Sequence, residues 1–596
     1  MLALLALLAL LGGCSRAPAE AAPAPAAPSR AAPAAPVLPP PSTASPSASA
    51  VAPSASLPAP PPAFAAGNRA VSSERGIVVA VEQRAAAAGA AVLARGGNAA
   101  DAAVATVFAL TVTHSSAASL GGGGFALVRR RGAPTEALDF RETAPRSLTR
   151  ARFDRMIALG ARGAAAVGVP GTVSGLALLH SRHGSRPLSE LLAPAIELAK
   201  SGHAIGAWQA RLIASSFPAL RADAAAATVF GSGGKPRGAG SRWLQPDLAA
   251  TLQRLAEAGP DDFYRGELAQ RLVRGLAPEG PSLEDLAAYR GIVRAPLSIA
   301  YRGYTIETMP PPSAGGVALI GMLLMHASVP PLASGSAEQV HFFLESSRRA
   351  QAERRLGVRD PDAWPPQTLA DRTARWLDPS YWLSTPIDPR RATASSELRR
   401  GSDGAAPESE HTTHVSVVDA DGFAVSLTTT LSASFGAKIV ARGTGIVMNN
   451  AVASFGIAGE NQPVAGQRTV SSMAPTLLLR NTELAAVLGT PGGDTIPSTI
   501  AQLVLHLVDH RLPLDDAIDA PRWHHGFVPD TARYEPSPAL PPALASELRA
   551  RGHRLRPFHR RIGDANCIVV EGARAAGYAD PREFGSAAVP PAAPAP

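Results

Sequence analysis

Two adjacent threonines, Thr412 and Thr413, lie where an irregular polar stretch gives way to a strand-like run. The preceding residues, 390–411, have the polar composition of an accessible loop. If the chain were cut between His411 and Thr412, Thr412 would carry both a hydroxyl and a free α-amine. An α-amine has an intrinsic pKa of about 7.7–8.0, so it can act as the base for its own hydroxyl. The pair therefore predicts a self-activated nucleophile. A plain strand-opening role is the alternative, because strands favour β-branched residues.

The elements around this pair indicate how it is held. The run THVSVV, a turn at 419–422 and the run FAVSLTTT form a β-hairpin pattern. Nearer the start, Ala-rich segments at 85–95 and 99–109 have helical spacing and are separated by a glycine pair. A second hairpin pattern, ALVRR followed by EALDFRET, comes next. Helix pairs followed by antiparallel strands indicate an α+β layered fold.

The composition excludes some classes of function. The net charge of +8 comes mostly from arginines that are scattered singly or in pairs, without a basic stripe interleaved with aromatic residues, so we expect no nucleic-acid binding. His411 and His414 would face opposite sides of a strand. His524 and His525 are adjacent, which is poor chelating geometry. Because no Cys/His cluster has zinc-binding spacing, we expect no metal and no cofactor.

The first residues predict export and a lipid anchor. Residues 1–14 form an apolar run that is too short to span a bilayer and ends at Cys14, as in a bacterial lipoprotein signal peptide with its lipobox. A buried N-terminal helix is the alternative. Residues 15–66 are almost wholly Ala, Pro and Ser, which predicts a disordered tether. We expect lipid on Cys14 to be the only membrane attachment, which would place the protein in a bacterial cell envelope, periplasmic or surface-facing. Cys567 would then have no disulfide partner and would be a small buried apolar residue.

Ten ordered motifs between about residues 70 and 581 resemble the gamma-glutamyltranspeptidases, a family of N-terminal-nucleophile (Ntn) hydrolases. They are GGNAADAAVA, SLGGGGF, DFRETAP, PGTVSGL, YRGYTIETMPPPSAGG, HTTHVSVVDADG, GIVMNN, SSMAPT, GTPGGDT and APRWHH. The resemblance implies a precursor that cleaves itself before Thr412. It also implies that residues 67–411 and 412–596 are the large and small (catalytic) subunits, paired in one αββα four-layer sandwich, and that the substrate is a small γ-glutamyl or related acyl amide.

The resemblance assigns catalytic roles by matching positions. Thr412 matches the nucleophile, and Thr430, in SLTTTL, matches the threonine whose hydroxyl holds the nucleophile's amine. Gly492 and Gly493 match the glycines whose backbone amides form the oxyanion hole. Losing one donor in such a site typically costs about 10²–10³ in rate. We therefore expect acyl transfer with these four residues and no cofactor.

Substrate-binding roles match only in part. Arg141, Ser471 and Ser472 match the residues that bind the α-carboxylate of the glutamyl group. At the three positions where the family holds the substrate's α-ammonium, this chain has Ser432, Ala451 and Ser454. An ammonium buried without an anionic partner is strongly disfavoured, so standard γ-glutamyl donors are expected to bind poorly unless another carboxylate reaches in.

Asp494 and Glu142 are the candidates for that carboxylate, and both have structural roles as the alternative. The segment 454–471 is also too short for the lid loop of several bacterial members, which indicates an open cleft. These features resemble the acylase branch of the family, which removes glutaryl-type side chains from β-lactam nuclei. Three hypotheses remain open at this point: γ-glutamyl transfer or hydrolysis, a glutaryl-type acylase that needs no α-amino group, and a non-catalytic lipid-anchored homologue.

Overall fold

A computed structural model describes residues 61–398, 411–456, 459–583 and 585–591. The predicted signal peptide with Cys14 and residues 15–60 of the predicted tether lie outside the described residues. Within the described ranges, no helix has the length and apolar character needed to cross a bilayer.

Two seven-stranded antiparallel sheets form the centre of the fold. The strands of sheet I are, in spatial order, Ser586–Ala588, Gly76–Ala80, Thr412–Asp419, Ala424–Thr430, Gly123–Arg129, Glu136–Phe140 and Ile292–Arg294. Those of sheet II are Val71–Ser73, Arg574–Ala579, Asn566–Glu571, Glu483–Leu488, Thr476–Arg480, Tyr304–Thr308 and Leu297–Tyr301. Shorter strands lie outside the sandwich: Trp523–His525, Ala532–Tyr534 and Leu555–Pro557 in one sheet, and the pairs His203–Ala204 with Arg242–Trp243, Gly231–Ser232 with Lys235–Pro236, and Val440–Ala441 with Ile446–Val447.

Helices cover the outer face of each sheet. Those that share the apolar core of sheet I are Gln83–Ala94, Ala99–Thr113, Arg150–Ala158, Thr172–His183, Leu188–Ser201, Pro246–Ala258, Asp261–Arg265, Glu267–Leu276 and Leu283–Ala288. Those that share the core around sheet II are Ala314–Ala327, Ala337–Leu356, Pro366–Leu377, Pro379–Leu383, Ile496–Val504, Leu514–Asp519 and Pro542–Ala550. Ala207–Leu220 and Ala224–Phe230 pack in a third, smaller core.

Alternation along the strands explains why the two sheets stack. In the strand Gly76–Ala80, Val78 belongs to the core under the first helix layer, whereas Ile77 and Val79 belong to the core shared with sheet II. Successive strand residues point to opposite faces, so a strand that is apolar at every position must be covered on both sides. The resulting order, helices, sheet, sheet and helices, confirms the predicted α+β four-layer sandwich.

The hairpin that begins at Thr412 lies in the middle of sheet I. Strands Thr412–Asp419 and Ala424–Thr430 pair antiparallel with Thr412 opposite Thr430. The Asp419 carboxylate accepts hydrogen bonds from the turn amides of Asp421 and Phe423. A fixed turn sets the register, and in a sheet buried on both faces a slip of one residue would reverse every side chain. The predicted hairpin is confirmed, and its register brings the two threonines together.

Candidate active site

Thr412 and Thr430 lie side by side at the buried end of the hairpin. Their exposed fractions are 7% and 3%, and the Thr412 Oγ1 atom is 3.4 Å from Thr430 Oγ1. The Thr430 hydroxyl donates a hydrogen bond to the carbonyl oxygen of His411 at 2.8 Å and accepts one from the Ser432 amide at 2.9 Å. The nucleophile candidate and the carbonyl of the bond preceding it are thus linked through one hydroxyl.

His411 brings no positive charge to this point. Burial, with a further contribution from Lys438, lowers the pKa of His411 to about 3, so its imidazole is neutral at neutral pH. The groups beside the His411–Thr412 bond that can exchange protons at neutral pH therefore include the hydroxyls of Thr412 and Thr430.

Gly492 and Gly493 line two different cavities, and both cavities reach Thr412. Gly492 lines the large cavity described below, Gly493 lines a small pocket, and Thr412 lines both. Gly492 has a φ of 135°, and a Cβ placed on it would lie 2.5 Å from the Thr495 hydroxyl oxygen, so only glycine fits without strain. The helix Ile496–Val504 begins just after this turn, and its N-terminal dipole favours negative charge nearby.

The small pocket has a volume of about 20 Å³, which is about the space of one water molecule. Its lining residues are Arg141, Thr412, Thr430, Ser432, Ser454, Ser471, Ser472, Met473, Gly493 and Ile496. Most of the residues predicted to act in catalysis or in substrate binding therefore meet in this one place. Hydroxyl groups and one guanidinium dominate its polar surface.

Arg141 follows the strand Glu136–Phe140 and is 2% exposed. Its guanidinium donates to Glu142 Oε2 at 2.7 Å, to Ser454 Oγ at 3.2 Å and to Ser432 Oγ at 3.4 Å. The two serines at positions that the family uses for the ammonium thus contact the arginine instead. A buried guanidinium that faces hydroxyls is well suited to a carboxylate, which it can bind through two parallel hydrogen bonds.

Ser471 and Ser472 are fixed by separate contacts. The Ser471 hydroxyl accepts a hydrogen bond from the Met473 amide at 3.2 Å. The Ser472 hydroxyl accepts one from the Arg354 guanidinium at 2.6 Å. Arg354 is a buried member of the long helix Ala337–Leu356, and sequence patterns did not single it out because its link to Ser472 spans 118 positions.

The two carboxylates predicted as substitute ammonium ligands do not line the small pocket. Glu142 is fully buried, one of its oxygens pairs with Arg141, and the other has no partner among the described residues. Burial raises the pKa of Glu142 although the neighbouring guanidinium opposes the shift. The pocket therefore contains no acidic lining residue within the described part of the chain.

Asp494 lies two residues after Gly492 but is directed elsewhere. Its Oδ1 atom is 3.2 Å from the Arg560 guanidinium, and its Oδ2 atom is 3.5 Å from His524 Nε2. Burial alone would raise the pKa of Asp494, but His524 and Arg560 hold it below its usual range. This geometry disfavours the predicted contact with a substrate ammonium and indicates a structural ion pair.

A second, larger cavity of about 670 Å³ opens beside Thr412 on the Gly492 side. Trp208, Leu212 and Phe558 give it apolar walls. Asp564 and several charged residues from 559–583 also line it, and no sequence motif had pointed to these residues. A volume of this size falls in the range of sites for small organic ligands.

Comparison with known proteins shows the family to which the chain belongs. The sequence model of the gamma-glutamyltranspeptidase family matches residues 85–589. The glutathione hydrolase proenzyme of Escherichia coli (strain K12) is 35% identical over 474 residues, which cover 75% of this chain and 80% of that protein. The acylase ACY 1 proenzyme of Pseudomonas sp. (strain SE83) is 37% identical over 418 residues, which cover 68% and 72%.

A solved structure of an acylase is also similar to this chain. The crystal structure of cephalosporin acylase from Bacillus halodurans superposes with a TM-score of 0.77 at 27% identity and covers 90% of this chain and 98% of that chain. The family match spans both sides of the His411–Thr412 bond and includes every predicted site residue. With glutathione hydrolase and acylase relatives at similar identity, this chain is an enzyme of the gamma-glutamyltranspeptidase family, within the Ntn hydrolases.

Proposed function

We propose that this chain cleaves itself before Thr412 and that the freed Thr412 then transfers the acyl group of a dicarboxylic amide to water or to an amine. The observation that carries the proposal is the hydrogen bond from the Thr430 hydroxyl to the His411 carbonyl, made beside the Thr412 hydroxyl. A donor on that carbonyl stabilises the negative charge that forms when the carbonyl is attacked.

In the cleavage step the Thr412 oxygen attacks the His411 carbonyl carbon. The C–N bond breaks, the hydroxyl proton passes to the departing nitrogen, and an ester joins the two parts. Water then hydrolyses the ester, which returns the Thr412 hydroxyl and leaves a carboxylate on His411. The expected products are an upstream fragment that ends at His411 and contains the large-subunit region, residues 67–411, and the small subunit, residues 412–596, in line with relatives that are named proenzymes.

After cleavage the Thr412 amine takes the proton of its own hydroxyl as the oxygen attacks the donor amide. The oxyanion forms near the backbone of Gly492 and Gly493, and the donor's amine leaves with the proton. A second acceptor, water or another amine, then attacks the acyl ester and restores Thr412. Because the small pocket has room for only about one water molecule in the uncut chain, we expect donor binding to require processing.

The acyl group that fits this site carries a distal carboxylate and no ammonium. Arg141 can bind the carboxylate together with the pocket serines, whereas no acidic residue of the described chain lines the pocket to receive an ammonium. A glutaryl donor presents one carboxylate, which the Arg141 Nη2 group can bind beside Ser432 and Ser454 while Nη1 keeps its contact with Glu142. A γ-glutamyl donor presents a second charge that stays unpaired.

Processing is tested by denaturing gels of freshly expressed protein. Wild type is expected to give two fragments, and Thr412→Ala one. Thr413→Val is the matched control, since the Thr413 hydroxyl is buried without a hydrogen-bond partner among the described residues and valine keeps the β-branched shape. An uncut wild-type chain, or a Thr412→Ala chain that is still cut at the same bond, would contradict the proposal.

Donor choice is tested with glutaryl-p-nitroanilide and γ-glutamyl-p-nitroanilide. We expect the glutaryl compound to have the higher kcat/KM by about tenfold or more, because an unpaired buried charge costs at least the ~1.4 kcal/mol that corresponds to that factor. A strong preference for the γ-glutamyl compound would leave the cleavage mechanism intact and reject the glutaryl assignment.

A further inference from the structure

The large cavity beside Thr412 contains a carboxylate that the proposed chemistry does not use. Asp564 lines the cavity, is 1% exposed, and has no hydrogen-bond partner for either carboxylate oxygen among the described residues. Its backbone amide is fixed by the Thr490 hydroxyl at 2.8 Å, which holds the residue in place. Burial of an ionised carboxylate without a partner is strongly disfavoured, so Asp564 ionises only when a positive group binds beside it.

Neighbouring acids already have such partners. Asp580 accepts hydrogen bonds from Arg522 at 2.7 Å and from Arg582 at 3.1 Å. Glu535 accepts two hydrogen bonds from Arg582, at 2.9 and 2.7 Å. The two arginines therefore donate their hydrogen bonds to these acids, and Arg522 acts on Asp564 only through its charge.

Glu583 adds a second carboxyl to the same end of the cavity. Burial raises the pKa of Asp564 well above its usual range, and the charges of Glu583 and Asp580 raise it further. Burial also raises the pKa of Glu583 to about 7. The guanidinium of Arg561, another lining residue, opposes both shifts. Two carboxyls thus share one guanidinium, and the cluster has an excess of one negative charge when both are ionised.

We propose that Asp564 and Glu583 form a subsite for an ammonium group. This ammonium is carried by the leaving amine or by the acceptor amine and is separate from the nitrogen that reacts. This rests on the proposed function, in which the acyl ester forms on Thr412, another lining residue of the same cavity. No set of three or more His, Cys, Asp or Glu in the described chain is arranged to hold a metal ion, which favours an organic cation.

The chemistry at the reacting end is ordinary acyl transfer. The neutral nitrogen of a diamine attacks the acyl ester, a C–N bond forms, the ester C–O bond breaks, and the proton of the nitrogen passes to the Thr412 oxygen. The remote ammonium takes no part in these steps. It lies against the two carboxyls, with Trp208 as one wall of the cavity, and holds the reacting nitrogen in the cleft.

The test compares acceptors that differ by one charge. Processed enzyme is supplied with glutaryl-p-nitroanilide and either 1,5-diaminopentane or 1-aminopentane, and the glutarylated amine is quantified by mass spectrometry. We expect kcat/KM for the diamine to exceed that for the monoamine by about tenfold or more, the factor for one charge-assisted hydrogen bond. An anionic acceptor, 6-aminohexanoate, is expected to be the poorest. Equal use of diamine and monoamine, or a preference for the anion, would overturn the subsite.

Variants test whether Asp564 and Glu583 cause the preference for the diamine. Asp564→Asn and Glu583→Gln are each expected to reduce the diamine preference toward unity. Asp421→Asn, in an exposed turn of sheet I, is the matched control and keeps the wild-type ratio. An unchanged ratio in both cavity variants would overturn the assignment. If wild type releases no p-nitroaniline from either donor, the proposed function fails. In that case the affinity of 1,5-diaminopentane for wild type and for Asp564→Asn, measured by calorimetry, tests the subsite independently. Equal affinity for the two proteins would refute it.

Discussion

Replacing Thr430 by valine removes one hydroxyl from the link between Thr412 and the His411 carbonyl while keeping the β-branched shape that the strand requires. The lost contacts are the 2.8 Å donation to His411, the 2.9 Å acceptance from the Ser432 amide and the 3.4 Å contact with the Thr412 hydroxyl. The first of these bears on the rate of cleavage. The second bears on stability.

The rate effect follows from the loss of a single donor to a carbonyl that becomes an oxyanion. Such a loss costs about 10²–10³ in rate, or about 2.7–4 kcal/mol. The orphaned Ser432 amide adds a stability loss of about 1–3 kcal/mol, which a domain with about 5–15 kcal/mol of stability tolerates. Thr430→Val is therefore expected to fold and to be processed about 100- to 1,000-fold more slowly.

The assay is a pulse-chase of newly synthesised protein, with the fraction cut read from denaturing gels over time. Thr430→Ser keeps the hydroxyl and serves as the matched control, with processing within about tenfold of wild type expected, well short of the loss assigned to a missing donor. Circular dichroism establishes that each variant is folded. A folded Thr430→Val chain that is cut at the wild-type rate would refute the role given to the Thr430–His411 hydrogen bond.

Three further predictions concern the residues around Thr412. Arg141→Lys replaces a forked guanidinium by a point charge, and we expect KM for glutaryl-p-nitroanilide to rise about tenfold or more, with the change in kcat smaller. Gly492→Ala forces a Cβ to within 2.5 Å of the Thr495 hydroxyl at a φ of 135°, and we expect a lower melting temperature together with loss of turnover, whereas a fully active, equally stable variant would contradict the account. The pKa of Asp494 is held below its usual value by its ion pairs, so the stability it contributes is present above about pH 4 and is lost as the pH falls further. Asp494→Asn should therefore flatten the fall in melting temperature between pH 6 and pH 3, and an unchanged slope would show that the contacts of Asp494 with Arg560 and His524 do not stabilise its ionised form.

The sequence was sufficient for the features that local rules determine. The hairpin from Thr412 to Thr430 could be predicted because its alternation, its turn at Asp419 and its buried β-branched residues all agree. Pairing across that turn places the two threonines opposite each other. The layered order of helices and sheets followed from the same periodicities.

Side-chain direction at the ends of elements was less predictable. Asp494 looked like a pocket residue because it adjoins Gly492, but the turn directs it toward Arg560, which is 66 positions away. Asp564 showed no signal at all, since a lone acid before a strand is ordinary in sequence. Its lack of a hydrogen-bond partner is apparent only when the ion pairs around it are assigned in the three-dimensional structure.

The central claim is that the bond before Thr412 opens and frees an N-terminal nucleophile. Its most direct test is the intact mass and N-terminal sequence of the smaller fragment from freshly purified protein. The account predicts a fragment that begins at Thr412 and ends with the chain at residue 596, present in wild type and absent from Thr412→Ala. A wild-type protein that remains a single chain on prolonged incubation, or one cut at a different bond, would contradict it.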